Sequence, residues 1–242
     1  MRIKATISYN GAMFLGFQRQ KNCSNTVAQT FEKALKSVGI EGKIYGSGRT
    51  DRGVHATGQV IHFDIPSFWE KKGLESLKYQ LNSKLSSIKI KYLKEVEPTF
   101  HAQYSATNRI YRYIIKLSEA SVFEEEFVST YELEHLELME QALELYVGQH
   151  DFSFFKKEGS PTSSNIRTIR RVDTVKLKKY FIIYFHADGY LRSQVRMMVE
   201  GALKVSKGEL TLKQLQSQID VKERFFTTLA KPQGLYLHRV SY

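Results

Sequence analysis

The chain has 242 residues, which is enough for one large domain or for two small ones with packed cores. Its 36 Lys and Arg residues exceed its 25 Asp and Glu residues, and the net charge of +11 favours a polyanionic partner such as nucleic acid, although a generally lysine-rich surface explains the same excess. The single cysteine excludes an intrachain disulfide framework and a cysteine-based metal site.

The first half of the chain alternates between strand and helix patterns. Apolar residues at 3, 5, 7 and 9 alternate with polar ones and predict a half-buried strand, which a loop over 10–25 follows. Thr26 and Gln29 have the spacing of a capping box, and the helix that they begin ends near Gly39. Strands at 43–46, 61–65 and 88–92 and a helix over 74–81 complete the order β-α-β-β-α-β, which is typical of a ferredoxin-like fold.

The second half repeats this order without obvious sequence similarity. The predicted elements are a strand at 109–116, a helix at 136–147, strands at 167–177 and 181–187, a helix at 195–203, a small extra helix at 211–219 and a strand at 235–241. No Gly/Ser-rich linker separates the halves near 98–107. We therefore predict an α+β protein with two ferredoxin-like (βαββαβ) halves, 1–104 and 105–242, each with an antiparallel sheet.

No segment of the sequence suggests export or membrane insertion. The N-terminal residues alternate polar and apolar and lack the apolar region of a signal peptide. No stretch approaches the roughly 18 apolar residues that cross a bilayer. We expect a cytoplasmic protein with no membrane partner.

The segment 46–59 is the densest cluster of glycines and polar residues in the chain. About twelve residues link two predicted strands where a hairpin needs about two to five, which indicates a backbone that approaches a ligand closely. Asp51 lies between Arg49 and Arg52, and an arginine in contact would keep its carboxylate ionised and usable as a nucleophile. A surface turn with a local Asx bond also accounts for Asp51. Spacing alone favours this turn for Asp51 and a functional role for the loop as a whole.

The loop does not match the more specific motifs for phosphate or metal binding. No Lys-Ser or Lys-Thr pair follows its glycines, so it is not a phosphate-binding P-loop. No regular element sets the spacing of Asp51, His55 and His62, and we expect no metal site.

Aromatic and basic residues interleave outside the loop. Arginines at 109 and 112 lie among Tyr104, Tyr111 and Tyr113, and such tyrosines can serve as stacking platforms for bases. For most aromatic and basic residues of this kind a structural role is the simpler interpretation. We expect Phe154 and Tyr113 in the core, and Arg170 and Arg171 on a solvated strand edge.

Arg196 stands on an otherwise apolar helical face and needs a carboxylate partner, because an unpaired buried charge is costly. Glu200, one turn further on, is one candidate partner. A catalytic carboxylate across a cleft is the other.

Six motifs, in order along the chain, resemble the bacterial tRNA pseudouridine synthase A family over nearly the whole length. They are Tyr9-x-Gly11 with Gly16-Phe17-Gln18-Arg19-Gln20, the loop Gly48–Val60, Phe100-His101-Ala102 with Tyr111-Arg112-Tyr113, Asp151-Phe152-Ser153-Phe154, Val195-Arg196, and Gly234-Leu235-Tyr236-Leu237. Arg52, Gln103 and the segment 192–194 depart from the usual family pattern, which bears on RNA affinity and not on a catalytic position.

The resemblance implies a role for each matched residue. Asp51 is the catalytic aspartate, Arg49 helps to extrude the target nucleotide, and Arg196 pairs with the catalytic carboxylate. Tyr111 stacks on the target base and Leu235 lines the uracil pocket. The remaining substrate contacts are expected in the signature loop, at Gly48, Thr50, Gly53 and His55.

The same resemblance implies an activity and an architecture. The expected reaction is isomerisation of uridine to pseudouridine at positions 38, 39 and 40 of the tRNA anticodon stem-loop, on a flipped-out base, by a homodimer without cofactor or metal. The active site is expected in a cleft between the two halves.

Two other functions remain open at this point. One is an RNA-binding module that has lost catalysis, and the other is a metal-dependent nuclease that uses Asp51, Asp64 and Asp151. The complete set of Arg49, Asp51, Tyr111 and Arg196 favours the isomerase, because a binding module does not need all four.

Overall fold

The computed structural model describes residues 1–21, 23–159 and 162–242, so Asn22 of the predicted loop lies outside the described residues. It is a mixed α+β protein, as predicted. The chain forms two compact units, one of Met1–Thr107 with Tyr236–Tyr242 and one of Asn108–Leu235.

The first unit is a sheet with helical connections. Its elements are β1 (Arg2–Tyr9), α1 (Val27–Lys36), β2 (Tyr45–Gly46), β3 (His55–Asp64), α2 (Ser67–Lys72), α3 (Leu74–Asn82), β4 (Ile88–Val96) and most of β10 (Leu235–Ser241). Strand β1 lies between β4 and β3 and is antiparallel to both. Strand β2 pairs antiparallel with β3, and β10 pairs parallel with β3 at its start.

Alternating burial explains why β1 forms where it does. Ile3, Ala5 and Ile7 are fully buried, while the residues between them are half-buried. The ring of Phe31 on α1 lies 5.8 Å from that of Phe63 on β3, so the helix covers this apolar face. The Thr26 hydroxyl accepts the bond from the Gln29 N–H at 3.3 Å, which confirms the predicted start of α1.

The second unit contains β5 (Asn108–Lys116), β6 (Ser129–Thr130), α4 (Leu136–Glu144), β7 (Gly148–Asp151), β8 (Ile166–Lys176), β9 (Tyr180–Ala187), α5 (Gln194–Ser206) and α6 (Leu212–Ile219). Strands β5, β9, β8 and β7 follow one another in an antiparallel sheet, and β6 pairs parallel with β5. The extra helix predicted near 211–219 is present as α6, and a capping box of Thr211 and Gln214 begins it.

The glycine-rich loop is shorter than predicted, because β3 already begins at His55. The sequence predicted a loop over 55–59 because polar residues and glycines are typical of loops. In the fold, Gln59 is fully buried and pairs in register with Ile7, so its side chain bonds inside the protein. A Cβ at Gly58 would lie 2.2 Å from the His238 carbonyl oxygen, so glycine here permits close contact with a neighbouring strand. The linking segment is therefore 47–54.

His62 on β3 is a buried imidazole with a structural bond. Its Nδ1 accepts a hydrogen bond from the Ala102 N–H at 3.1 Å. Burial, with the charges of His101 and Arg2, lowers the pKa of His62 from 6.5 to about 4. The folded protein therefore keeps this ring neutral at pH values at which the unfolded chain binds a proton.

We expect His62 to make the protein less stable as the pH falls. Between pH 6.5 and about 4 only the unfolded chain is protonated at this residue, so the free energy of unfolding drops by about 2 kcal/mol from pH 7 to pH 5. Well above pH 6.5 the residue adds no pH dependence. Urea denaturation of the wild type and of His62→Phe at both pH values measures the effect, and an equal pH dependence in the two proteins would contradict it.

Candidate active site

Asp51 stands at the first position of a tight turn between β2 and β3. The Val54 N–H donates to the Asp51 carbonyl at 3.1 Å, and Gly53 has a φ of 78°. A positive φ at the third residue is the geometry of a type II turn and suits glycine. The turn interpretation of Asp51 is therefore confirmed for its backbone. Its side chain is half-buried, while Arg49 and Arg52 on either side are exposed.

Buried hydrogen bonds hold the segment that leads into this turn. The Phe17 N–H donates to the Thr50 carbonyl at 3.1 Å, and the Tyr9 and Thr50 hydroxyls lie 2.8 Å apart. The Gln59 amide accepts from the Ser47 hydroxyl at 2.7 Å and donates to the Gly48 carbonyl at 2.9 Å. Because these groups are shielded from water, the bonds fix the backbone on which Asp51 is presented.

Gly11 anchors the far end of the turn. Its N–H donates to Nδ1 of His55 at 3.0 Å. A Cβ on Gly11 would lie 2.1 Å from the Val54 carbonyl oxygen, so any larger residue collides with backbone. His55 is 1% exposed and its ring stacks on Tyr236 at 4.7 Å, which gives it a structural position inside the unit. Gly11 belongs to a family motif. Its contact with the turn could not be predicted from the sequence, because the contact joins residues that are far apart in the chain.

The Tyr9–Thr50 bond offers a direct test of this support. Burial raises the pKa of Tyr9 to about 12, so the hydroxyl stays protonated at any working pH. We expect Tyr9→Phe to lower the free energy of unfolding by about 1–3 kcal/mol, because the buried Thr50 hydroxyl loses its partner. Urea denaturation measures the loss. The double variant Tyr9→Phe/Thr50→Val should recover part of it, and fully additive losses would contradict the prediction.

The predicted site residues of the second unit lie on β5, on α5 and at the first residue of β10. Tyr111 on β5 is buried, and its ring meets Tyr190 edge-on at 5.1 Å. Leu235 begins β10 and is 5% exposed. Tyr113 is fully buried, and its hydroxyl donates to the Lys231 carbonyl at 2.8 Å and lies within hydrogen-bond distance of the Ser129 hydroxyl at 3.0 Å, which confirms the core interpretation of this residue.

Arg196 lies half-buried on α5. Its Nε donates to the Ala230 carbonyl at 2.8 Å, and the Ala230 N–H returns a bond to the Arg196 carbonyl at 3.2 Å. Glu200, the local candidate partner, accepts a bond from the Thr228 hydroxyl at 3.1 Å and lies 4.0 Å from Nζ of Lys204. The guanidinium of Arg196 is thus held by backbone, which fixes its direction.

The unusual segment before α5 has a partly structural explanation. Gln194 is fully buried and its side chain accepts the Leu191 N–H at 2.7 Å. Ser193 has a φ of 59°, a left-handed conformation that is uncommon outside glycine. Arg192 is exposed and donates to the Glu158 carbonyl at 2.8 Å.

Two of the three acidic residues of the nuclease hypothesis take structural bonds. Asp64 pairs with Arg2 at 2.9 Å, and Asp151 accepts the Ser153 N–H at 2.8 Å. Among the described residues no three His, Cys, Asp or Glu side chains lie together as metal ligands would. Nor is any helix in the described part of the chain long and apolar enough to span a bilayer.

Two surface expectations had different outcomes. Arg170 and Arg171 on β8 are exposed, as predicted. Phe154 was expected in the core but is only half-buried, and the Arg224 guanidinium lies over its ring at 4.5 Å.

Known proteins are similar to this chain over nearly its whole length. A family model described as tRNA pseudouridine synthase matches residues 5–105 and 142–242. The tRNA pseudouridine synthase A of Helicobacter hepaticus is 41% identical over 243 residues, which cover 99% of this chain and 98% of that protein. The proteins of the same name from Wolinella succinogenes and Streptococcus agalactiae are 38% and 34% identical, over 98% and 100% of this chain and 93% and 95% of their own lengths.

Proposed function

This chain belongs to the tRNA pseudouridine synthase family, and from that membership we propose that it isomerises uridine at positions 38, 39 and 40 of the tRNA anticodon stem-loop. Membership makes it an isomerase that acts on uridine in tRNA. The observation that carries the proposal is the half-buried carboxylate of Asp51, on a turn fixed by buried bonds and flanked by the exposed cations Arg49 and Arg52.

The reaction needs a nucleophile and a closed pocket. The bond from C1′ to N1 breaks and a bond from C1′ to C5 forms. The hydrogen on C5 leaves to solvent, and N1 gains a proton. No redox change or net hydrolysis occurs, so we propose that no cofactor takes part. The Asp51 carboxylate either attacks C6 of the ring or assists cleavage at C1′.

Arg49 is the group that we assign to base extrusion. Flipping a nucleotide out of its stack costs a few kcal/mol, which contacts to the RNA must offset. Arg49 is exposed at the turn, two residues before Asp51, and can enter the place that the base leaves. We assign Gly48, Thr50 and Gly53 to shaping the loop against the substrate. We also assign His55 to the substrate site, where its buried ring supports the same loop from inside.

Three roles fall to side chains of the second unit. We assign stacking on the uracil to Tyr111, whose ring Tyr190 holds edge-on. Leu235 supplies an apolar wall. Arg196 steadies the catalytic carboxylate, and its bond to the Ala230 carbonyl supports this role because it orients the guanidinium in advance.

We further propose that both units are ferredoxin-like. In the first unit the antiparallel order β4-β1-β3-β2, with helices after β1 and β3, supports this. In the second unit the support is the order β5-β9-β8, with α4 and α5 as the helical connections. A tRNA substrate also supports a cytoplasmic location.

The proposal is tested with an unmodified tRNA transcript that carries uridine at positions 38, 39 and 40. After incubation with the purified protein, pseudouridine is mapped by chemical labelling and primer extension. We expect modification at these positions and none in a matched transcript with cytidine there. Pseudouridine only at other positions would overturn the anticodon assignment.

We propose that the enzyme is a homodimer whose interface includes an exposed apolar patch of the second unit. The patch consists of Leu117, Val122, Phe123, Phe127 and Leu177, and Val122 and Phe123 are 74% and 87% exposed. An ion pair of Lys116 with Glu124 ties this segment to β5. Exposed aromatic groups on a fixed segment are typical of protein interfaces.

Charge around the patch supports a second copy as the partner. Glu119, Glu125 and Glu126 belong to the same chain segment as Leu117, Val122, Phe123 and Phe127, whereas Lys178 and Lys179 belong to the β8–β9 hairpin, which accepts the Leu117 N–H at the Lys179 carbonyl. A two-fold axis would let the acidic segment of one protomer face the basic hairpin of the other.

Phe123→Ser should therefore produce monomers in sedimentation velocity experiments at micromolar concentration. Tyr79→Ser is the matched control, because Tyr79 is 77% exposed on α3 of the first unit. A monomeric wild type, or a dimer that persists in Phe123→Ser, would contradict this interface.

A further inference from the structure

Four side chains form one row across the sheet of the first unit. Lys94 of β4 pairs in register with Lys4 of β1, Lys4 with His62 of β3, and His62 with Tyr45 of β2. Residues directly opposite one another on neighbouring strands share a face of the sheet. Ile3 points to the other face, which is the buried one. The row therefore places two lysines at one end and two rings at the other, on the face away from the core.

A cluster of four rings continues from this row to the surface. Tyr45 stacks on His62 at 5.0 Å, and the rings of His62 and His101 lie 4.7 Å apart. His101 in turn stacks with Tyr104 at 4.3 Å and an interplanar angle of 27°. Tyr104 is 78% exposed, so the face of its ring away from His101 is open to solvent.

The outer rings of this cluster, His101 and Tyr104, are held in place. Nδ1 of His101 accepts the Gln103 N–H at 3.2 Å and the Tyr104 N–H at 3.4 Å, and the His101 N–H donates to the Ser105 hydroxyl at 3.0 Å. Burial and the charge of Arg2 lower the pKa of His101, so its ring is neutral at neutral pH. An exposed ring fixed in advance loses little entropy when a flat ligand stacks on it.

Two lysines belong to the same row as these rings. Nζ of Lys4 lies 5.6 Å from the ring centre of Phe100 and 5.1 Å from that of Tyr242. Lys94, its partner in register, is exposed on β4. Aromatic rings for bases with nearby lysines for phosphates are the combination that single-stranded nucleic acid requires. Tyr111 and Tyr113, the other tyrosines of the interleaved segment, are buried.

We propose that Tyr104, with Lys4 and Lys94, forms a second RNA-binding site, at which an unpaired base of the tRNA stacks on Tyr104 and its phosphates contact the two lysines. The inference rests on the proposed function, because its ligand is the tRNA substrate. It adds a contact with the tRNA on the first unit, outside the Asp51 turn. It also assigns RNA binding to the row of side chains across the sheet.

Equilibrium binding of an unmodified tRNA transcript tests the site. We expect Tyr104→Ala to weaken binding about 5- to 100-fold, the range that corresponds to loss of one stacked base. Tyr104→Phe keeps the ring and should bind as the wild type does. Lys4→Ala and Lys94→Ala should each lower the slope of log Kd against log salt by about one. Tyr79→Ala removes an equally exposed tyrosine from α3 and should have no effect on Kd.

The outcomes separate the site from the reaction. Equal affinity of Tyr104→Ala and the wild type would overturn the stacking site, whether or not pseudouridine forms. Weaker binding by Tyr104→Ala, in a wild type that forms no pseudouridine, would keep the site and overturn the proposed reaction. A variant that unfolds at the same temperature as the wild type is folded. If Tyr104→Ala loses both its fold and its affinity, the result counts against a specific contact of Tyr104 with the tRNA.

Discussion

Asp51→Asn is expected to abolish pseudouridine formation while tRNA binding persists. The amide has the shape of the carboxylate but carries no negative charge, so it neither attacks the ring nor assists at C1′. The turn should survive, because its bond joins the backbone of residue 51 to Val54. Mapping of pseudouridine after prolonged incubation and a filter-binding assay measure the two properties separately.

Asp151→Asn is the matched control for this variant. Asp151 is exposed, and its side chain accepts the Ser153 N–H, a bond that asparagine can also accept. Full activity is expected, whereas the nuclease hypothesis predicts a loss. Measurable turnover by Asp51→Asn, in a preparation free of the host enzyme, would contradict the assignment of the nucleophile.

Gly11→Ala is expected to impair both the fold and the reaction. The new methyl group would lie 2.1 Å from the Val54 carbonyl oxygen and 2.9 Å from the His55 nitrogen, so backbone has to move. Overpacking of this kind costs roughly 1–3 kcal/mol or more. Displacement of the turn by about 1 Å costs about a hundredfold in rate, because Asp51 leaves its reactive position. Thermal unfolding and single-turnover kinetics measure the two effects.

Gly189→Ala serves as the control for this substitution. A Cβ there meets only side-chain atoms, the nearest being Nε of Arg167 at 3.7 Å, which is ordinary contact. Its unfolding temperature should match that of the wild type. If Gly11→Ala is as stable and active as Gly189→Ala, the close packing of Gly11 on the turn is not required for catalysis.

Local sequence patterns predicted most of the regular elements. Alternating residues predicted β1, and the Thr26 cap predicted the start of α1, because both signals depend on neighbouring residues. Strand β2 lies within the strand predicted at 43–46, whereas the two-residue strand β6 is too short for a periodic pattern to define. The start of β3 was placed too late, because the burial of Gln59 depends on its bonds to Ser47 and Gly48 and not on hydrophobicity.

In the candidate site, too, local sequence patterns predicted the local structure but not the contacts between distant residues. Spacing alone favoured a turn for Asp51, and the backbone bond to Val54 confirms the turn. Its chemical role came from the family resemblance and remains a proposal. The supports of the turn, among them the bond of Gly11 to His55, join residues far apart in sequence and required the fold. The tyrosines of segment 104–113 differ in burial, which the sequence did not show: Tyr113 is buried and Tyr104 is exposed.

The most direct test of uridine isomerisation uses tRNA labelled with tritium at C5 of uridine. Because the new bond to C1′ forms at C5, each conversion must release one tritium to water. We predict that the wild type releases tritium in step with pseudouridine at positions 38, 39 and 40 and leaves the strand intact. Tight tRNA binding without tritium release would contradict the isomerase and favour a binding module, and strand cleavage would favour a nuclease.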